Sequence, residues 1–158
     1  MSEAMQCDAT NQAASIPVQV DVYAFEADGE VFFAHSWRRE GAPKGAKGNI
    51  KIEEGESQVP IKFHLHDKTH LHLRFMDTQD EPIWVDRNDC PTCWGDGDGQ
   101  ISEVRSSPNL LTVTDANSGD PCVLHYALRF TGRATDSGPP YEYDPEIRNG
   151  GGGFIIDR

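Results

Sequence analysis

The chain has 158 residues, 37% of them hydrophobic, and carries 14 Lys+Arg against 26 Asp+Glu for a net charge of −12. That length suits one domain, and the acidic balance excludes nucleic acid or an anionic membrane as main partner, because phosphate binding needs concentrated Lys and Arg. No apolar run approaches the roughly 20 residues that span a bilayer, and the opening MSEAMQCDATNQAAS lacks the basic-then-apolar order of an export signal, so a cytoplasmic protein is expected.

Residues 1–16 are polar and without periodicity, which predicts a flexible leader. Val18, Val20 and Val22 then alternate with Gln19, Asp21 and Tyr23, the pattern of a half-buried strand. Asp28-Gly29 signals a hairpin into a second strand, Val31 to Trp37. In the loop predicted over 38–48, Arg38, Arg39, Lys44 and Lys47 stand against Glu40. This small positive patch reads as a solvated loop offsetting nearby carboxylates; an anion or partner contact is the alternative.

Further strands are expected at about 49–54, 58–66, 70–76, 82–86, 109–114 and 121–131, with an irregular loop over 87–99 and a turn at 117–120. Leu124, Tyr126, Leu128 and Phe130 share one face of the last of these. Beyond Gly132 the chain is rich in Gly and Pro around a short YEY strand, and no segment carries a helical apolar stripe. The expected fold is all-β, an antiparallel two-sheet sandwich or jelly roll. Its domain would cover 17–148, followed by a Gly-rich tail over 149–158.

The densest signal is IKFHLHDKTHLHLRF, residues 61–75. Folded as a hairpin around Asp67-Lys68-Thr69, it sets Ile61 opposite Phe75, Phe63 opposite Leu73 and Leu65 opposite Leu71 on the core side. His64 then faces His72 and His66 faces His70 on the other. Opposed Cβ atoms lie about 5 Å apart, so His64, His66, His70 and His72 are candidate ligands for Zn, Ni or Cu. Lys62 opposite Arg74 counts against a cation there, and a wet face that merely uses histidine is the plain alternative.

Cys90-Pro91-Thr92-Cys93 resembles half a zinc knuckle, with Cys122-x-x-His125 as its only candidate second half. A strand over 121–131 would put Cys122 and His125 on opposite faces. Asp96 and Asp98 sit in an Asp-Gly-Asp-Gly loop like the middle of an EF-hand, but Trp94 and Arg105 occupy the positions that need Asp and Glu. Calcium is therefore disfavoured, and the residual candidate set is Asp89, Asp96, Asp98 and Glu103. Cys7 belongs to the leader.

No G-x-S-x-G, P-loop or G-x-G-x-x-G pattern occurs, and no spacing assigns a nucleophile to a base. Phe25, Phe32, Trp37, Trp84 and Trp94 are candidate groove residues, though strand aromatics usually serve the core.

YALRF at 126–130, followed by Tyr141-Glu142-Tyr143-Asp144-Pro145-Glu146-Ile147, resembles the end of the PixA/AidA inclusion-body-type bacterial proteins. With Asn149-Gly150-Gly151 it is also similar to small uncharacterised bacterial proteins. The resemblance covers about a fifth of the chain and implies a small bacterial all-β protein without known catalysis; it carries over no functional residue. The function expected is a non-enzymatic binding or structural domain, contacting a protein partner or a second copy through edge strands, or a small ligand through its loops. The rival is a cupin-like transition-metal protein built on the histidine face.

Overall fold

A computed structural model of the chain describes residues 15–40, 48–133 and 139–151. Among these described residues, eleven strands fall into two packed sheets. They are β1 (Val18–Ala27), β2 (Glu30–Arg39), β3 (Ile50–Ile52), β4 (Val59–Asp67), β5 (Arg74–Phe75), β6 (Ile83–Asp86), β7 (Ile101–Ser107), β8 (Leu110–Asp115), β9 (Cys122–Thr131), β10 (Tyr141–Tyr143) and β11 (Glu146–Asn149). The first sheet runs β2-β1-β4-β8-β7. The second is built around β9, with β5 and β6 along one edge and β10 and β11 along the other, and β3 outside β11. The all-β sandwich is as expected, and among the described residues neither sheet closes into a barrel. Most ladders are antiparallel, but β1 runs parallel to β4 and β11 parallel to β3.

Alternation decides which side of each strand is dry. Val18, Val20, Val22 and Ala24 of β1, Ile61, Phe63 and Leu65 of β4, and Leu111 and Val113 of β8 meet Leu124, Tyr126, Leu128 and Phe130 of β9. Each large apolar side chain taken out of water there stabilises the fold by roughly 1.5–3 kcal/mol. Asp28 and Gly29 both have positive φ, at 51° and 80°. That is the turn whose twist suits a two-residue hairpin, and β1 and β2 stay in unbroken register over ten pairs.

The expected hairpin over 61–75 does not form. Both edges of β4 are already occupied, by β1 on one side and β8 on the other, so no ladder is open to residues 70–76. After Asp67 the chain leaves the first sheet and enters the second as the two-residue β5. The Asp67 carboxylate makes that corner. It accepts from Thr69 N at 2.9 Å, Thr69 Oγ1 at 2.5 Å and Leu73 N at 2.9 Å.

Two further expectations change. Residues 101–107, where the sequence shows no strand pattern, form β7. A bulge between Ser102 and Arg105 shifts the parity, so the buried Ile101 and half-buried Val104 never read as alternation. Asn149, Gly150 and Gly151 lie inside the fold rather than in a tail: Gly150 N donates to Ile52 O at 2.8 Å and Gly151 N to Asn117 Oδ1 at 2.8 Å. A Cβ on Gly150 would stand 2.5 Å from Glu54 N, so only glycine fits there.

Candidate functional site

The alternation of β1 that buries its valines turns Gln19, Asp21, Tyr23 and Phe25 outward. Parallel pairing with β4 brings Lys62, His64 and His66 beside them, and antiparallel pairing with β2 brings Arg38, Ser36 and Phe32 to the other side. Asp21 is the centre of this outer face. Its Oδ2 accepts from Arg38 Nη1, and its Oδ1 bonds His66 Nε2 at 2.8 Å. His64 Nε2 donates to Gln19 Oε1 at 2.7 Å.

Burial raises the Asp21 pKa, but the His66 hydrogen bond and the Arg38 charge outweigh it and hold the carboxyl below its usual range. His64 is pushed down, first by burial and then by Arg38, His66 and Lys62, against the pull of Asp21. Tyr23 stacks on His66 at 4.8 Å between ring centroids, and Phe25 lies 6.4 Å beyond Tyr23. Phe25 pairs across the hairpin with Phe32, and the two are 44% and 49% exposed.

This constellation does not suit nucleophilic catalysis. In register Asp21 stands between Ser36 on β2 and His64 on β4. Two strand spacings, about 9.5 Å, separate the backbones of Ser36 and His64, and the imidazoles of His64 and His66 bond Gln19 and Asp21 rather than a hydroxyl they could activate. The face lies on the outside of the sheet, so its imidazoles project to solvent rather than into an enclosed interior; His66 is 40% exposed.

Of the four histidines expected to cluster, His64 and His66 share β4, whereas His70 and His72 lie past the Asp67 corner. His70 N donates to Glu26 Oε1 at 2.8 Å, and His72 adopts a left-handed backbone with φ 56°. The structure therefore does not assemble the two opposed pairs. The cysteine set is also divided. Cys90 and Cys93 are exposed on the loop. Cys122 packs against the core, while His125 faces outward 3.4 Å from Glu146 Oε2; Cys7 lies outside the described residues.

Asp96 Oδ1 accepts from Gly99 N at 3.0 Å, Asp98 Oδ2 lies 3.5 Å from Arg87 Nη1, and Glu103 Oε1 accepts from Thr114 Oγ1 at 3.1 Å. Asp96 and Asp98 border a shallow depression of about 180 Å³ lined by 85–88 and 95–98, whereas Glu103 stands apart on β7. Among the described residues no group of three or more His, Cys, Asp or Glu converges as a metal would need.

The five aromatics proposed for a groove are scattered. Trp37 packs against the core, Trp94 is 57% exposed on the loop, and Trp84 lies under Arg129 with the guanidinium 4.0 Å from its ring. Arg38 and Arg39 belong to β2 rather than to a loop. Arg39 binds Glu56 at 2.8 Å, so these two cations do offset carboxylates; Lys44 and Lys47 lie outside the described residues.

Sequence reasoning placed Gln19, Asp21 and Tyr23 on one face but missed their role, because their partners come from β4 some 40 residues later. It also missed a buried polar cluster at one end of the sandwich, formed by Asp115, Asn117 and Asn149. Asn117, with φ 49°, donates through Nδ2 to Glu53 O and Glu56 O at 2.9 and 2.7 Å.

No family model matches the chain, and no curated protein matches it. Among the described residues no helix is long and apolar enough to cross a membrane.

Proposed function

We propose that this chain is a non-enzymatic binding domain whose contact surface is the β1–β2 flank of the five-stranded sheet. The observation that carries the reading is the Phe25–Phe32 pair. Two large apolar side chains directly opposite each other stand about half exposed close to the Asp28-Gly29 turn of the β1–β2 hairpin. Neither fills the core, and clustered exposed apolar residues rimmed by polar ones mark interaction surfaces. Beside them on the same face, Asp21 is held by Arg38 and His66, and His64 is held by Gln19. A domain without catalysis also agrees with what the C-terminal resemblance implies.

Photo-crosslinking tests this. A benzophenone amino acid replaces Phe32 in the full chain, and the control chain carries it at Glu103 on the opposite edge of the same sheet. Specific adducts formed in cell extract from position 32 alone support the reading. Adducts of equal yield from both positions, or none from either, overturn it.

A further inference from the structure

We propose that two copies of this chain join edge to edge through β2, making one continuous sheet across a two-fold axis at Ala34. The inference rests on the β1–β2 flank being the contact surface and names its occupant.

Four of the strands bordering the sheets are blunted in ways that hinder pairing. β7 is bulged, and β3, β5 and β10 have two or three residues each. β2 has none of these devices. It runs ten residues without proline or bulge, and among the described residues it pairs with β1 alone.

The two-residue turn makes Ala27–Glu30 the closing hydrogen-bonded pair. Even-numbered residues of β2 therefore bond to β1, and the peptide groups of Val31, Phe33, His35 and Trp37 point away from the sheet. A long row of free peptide groups is a template for another strand.

Side chains select a second copy as that strand, and they select the register. Antiparallel partners must share a face, so even residues oppose even residues. With Ala34 on the axis, Phe33 exchanges bonds with His35 and Val31 with Trp37. On the outer face Phe32 opposes Ser36 and Glu30 opposes Arg38, each pair occurring twice. Within Glu30–Arg39, centring on His35 instead sets Arg38 against Phe32, and centring on Phe33 sets Glu30 against Ser36, so neither opposes unlike charges. Only the Ala34 register is self-complementary in charge, and it puts the smallest side chain of the strand where the two copies approach most closely. β2 also carries two arginines against one glutamate, 2 − 1 = +1, on a chain of net charge −12, so copies meet there with little of the repulsion the rest of the surface supplies.

The test is sedimentation equilibrium of the tag-free full chain from about 1 to about 300 µM, the affinity range of a small edge contact. The expected result is a concentration-dependent rise from the 17.5 kDa chain mass toward twice that value. Glu30→Arg and Arg38→Glu are each expected to weaken association about ten-fold by setting like charges opposite. An equimolar mixture of the two variants recovers it, since every opposed pair is then Arg against Glu. That recovery also shows that both variants are folded. A monomeric wild type, association indifferent to both charge changes, or a mixture no tighter than its components overturns the proposal. A monomeric chain whose position 32 still crosslinks a different protein overturns the dimer while leaving the flank as a contact surface.

Discussion

Asn149 Nδ2 donates to Asp115 Oδ1 at 2.8 Å, joining the last residue of β11 in one sheet to the last residue of β8 in the other. Asp115 is fully buried and also accepts from Asn117 N at 2.9 Å. Its Oδ2 and the Asn149 Oδ1 are both buried acceptors without a donor. A proton on Asp115 supplies the missing donor, and the two side chains then suit each other as a carboxylic acid and an amide. Burial pushes the carboxyl up to about 6, against the opposing pull of those two hydrogen bonds.

Stability is accordingly expected to fall as pH rises between about 4 and about 6. Unfolded, Asp115 titrates near 3.8. Within that window the folded chain holds a proton that the unfolded chain has released, so raising the pH favours unfolding by up to about 3 kcal/mol. Asp115→Asn keeps the shape and carries a permanent donor. Urea unfolding should show it more stable than wild type by about 1–3 kcal/mol at pH 8 and equal to it near pH 4. A variant less stable than wild type at pH 8 would show that the carboxylate form is the one the fold uses.

Asp67→Ala removes the acceptor of three hydrogen bonds at the corner between the sheets and leaves the N–H of the buried Leu73 unpaired. A loss of about 2–3 kcal/mol in urea is expected. Thr69→Ala, which removes one of the three together with the hydroxyl that accepts from Leu71 N at 3.1 Å, should cost about 1 kcal/mol.

Arg129 donates through Nη1 to Asp80 O and Glu81 O, at 2.6 and 2.7 Å, while stacking on Trp84. Lysine keeps the charge but neither the planar fork nor the stack. Arg129→Lys is expected to destabilise by about 1–3 kcal/mol and to change Trp84 fluorescence. Unchanged emission would mean that the stack is not kept in solution.

The separation of the histidines bears on metal binding. His64 and His66 sit together on β4, and His70 and His72 lie beyond the corner. Titration with Zn²⁺ or Ni²⁺ should therefore find His64→Ala/His72→Ala indistinguishable from His64→Ala alone. A further drop in affinity from the second substitution would show that the four imidazoles do converge.

The sequence alone determined the fold class and most of the core. Period-two alternation depends only on neighbours along the chain, so the buried faces of residues 18–24, 61–65 and 124–130 were legible from side-chain order. The Asp28-Gly29 turn was legible for the same reason, since its positive φ values are a local preference. Which strands pair was not legible. The segment 61–75 is a sound hairpin in isolation, with apolar and polar residues correctly opposed. It yields because β1 and β8, distant in sequence, take both edges of β4 and bury more apolar surface than a two-stranded hairpin can. The same non-local choice split the histidines, set Asp21 between Arg38 and His66, and buried Asp115 against Asn149. Local periodicity fixes which way a side chain points; only the packing of the sheets decides what it meets.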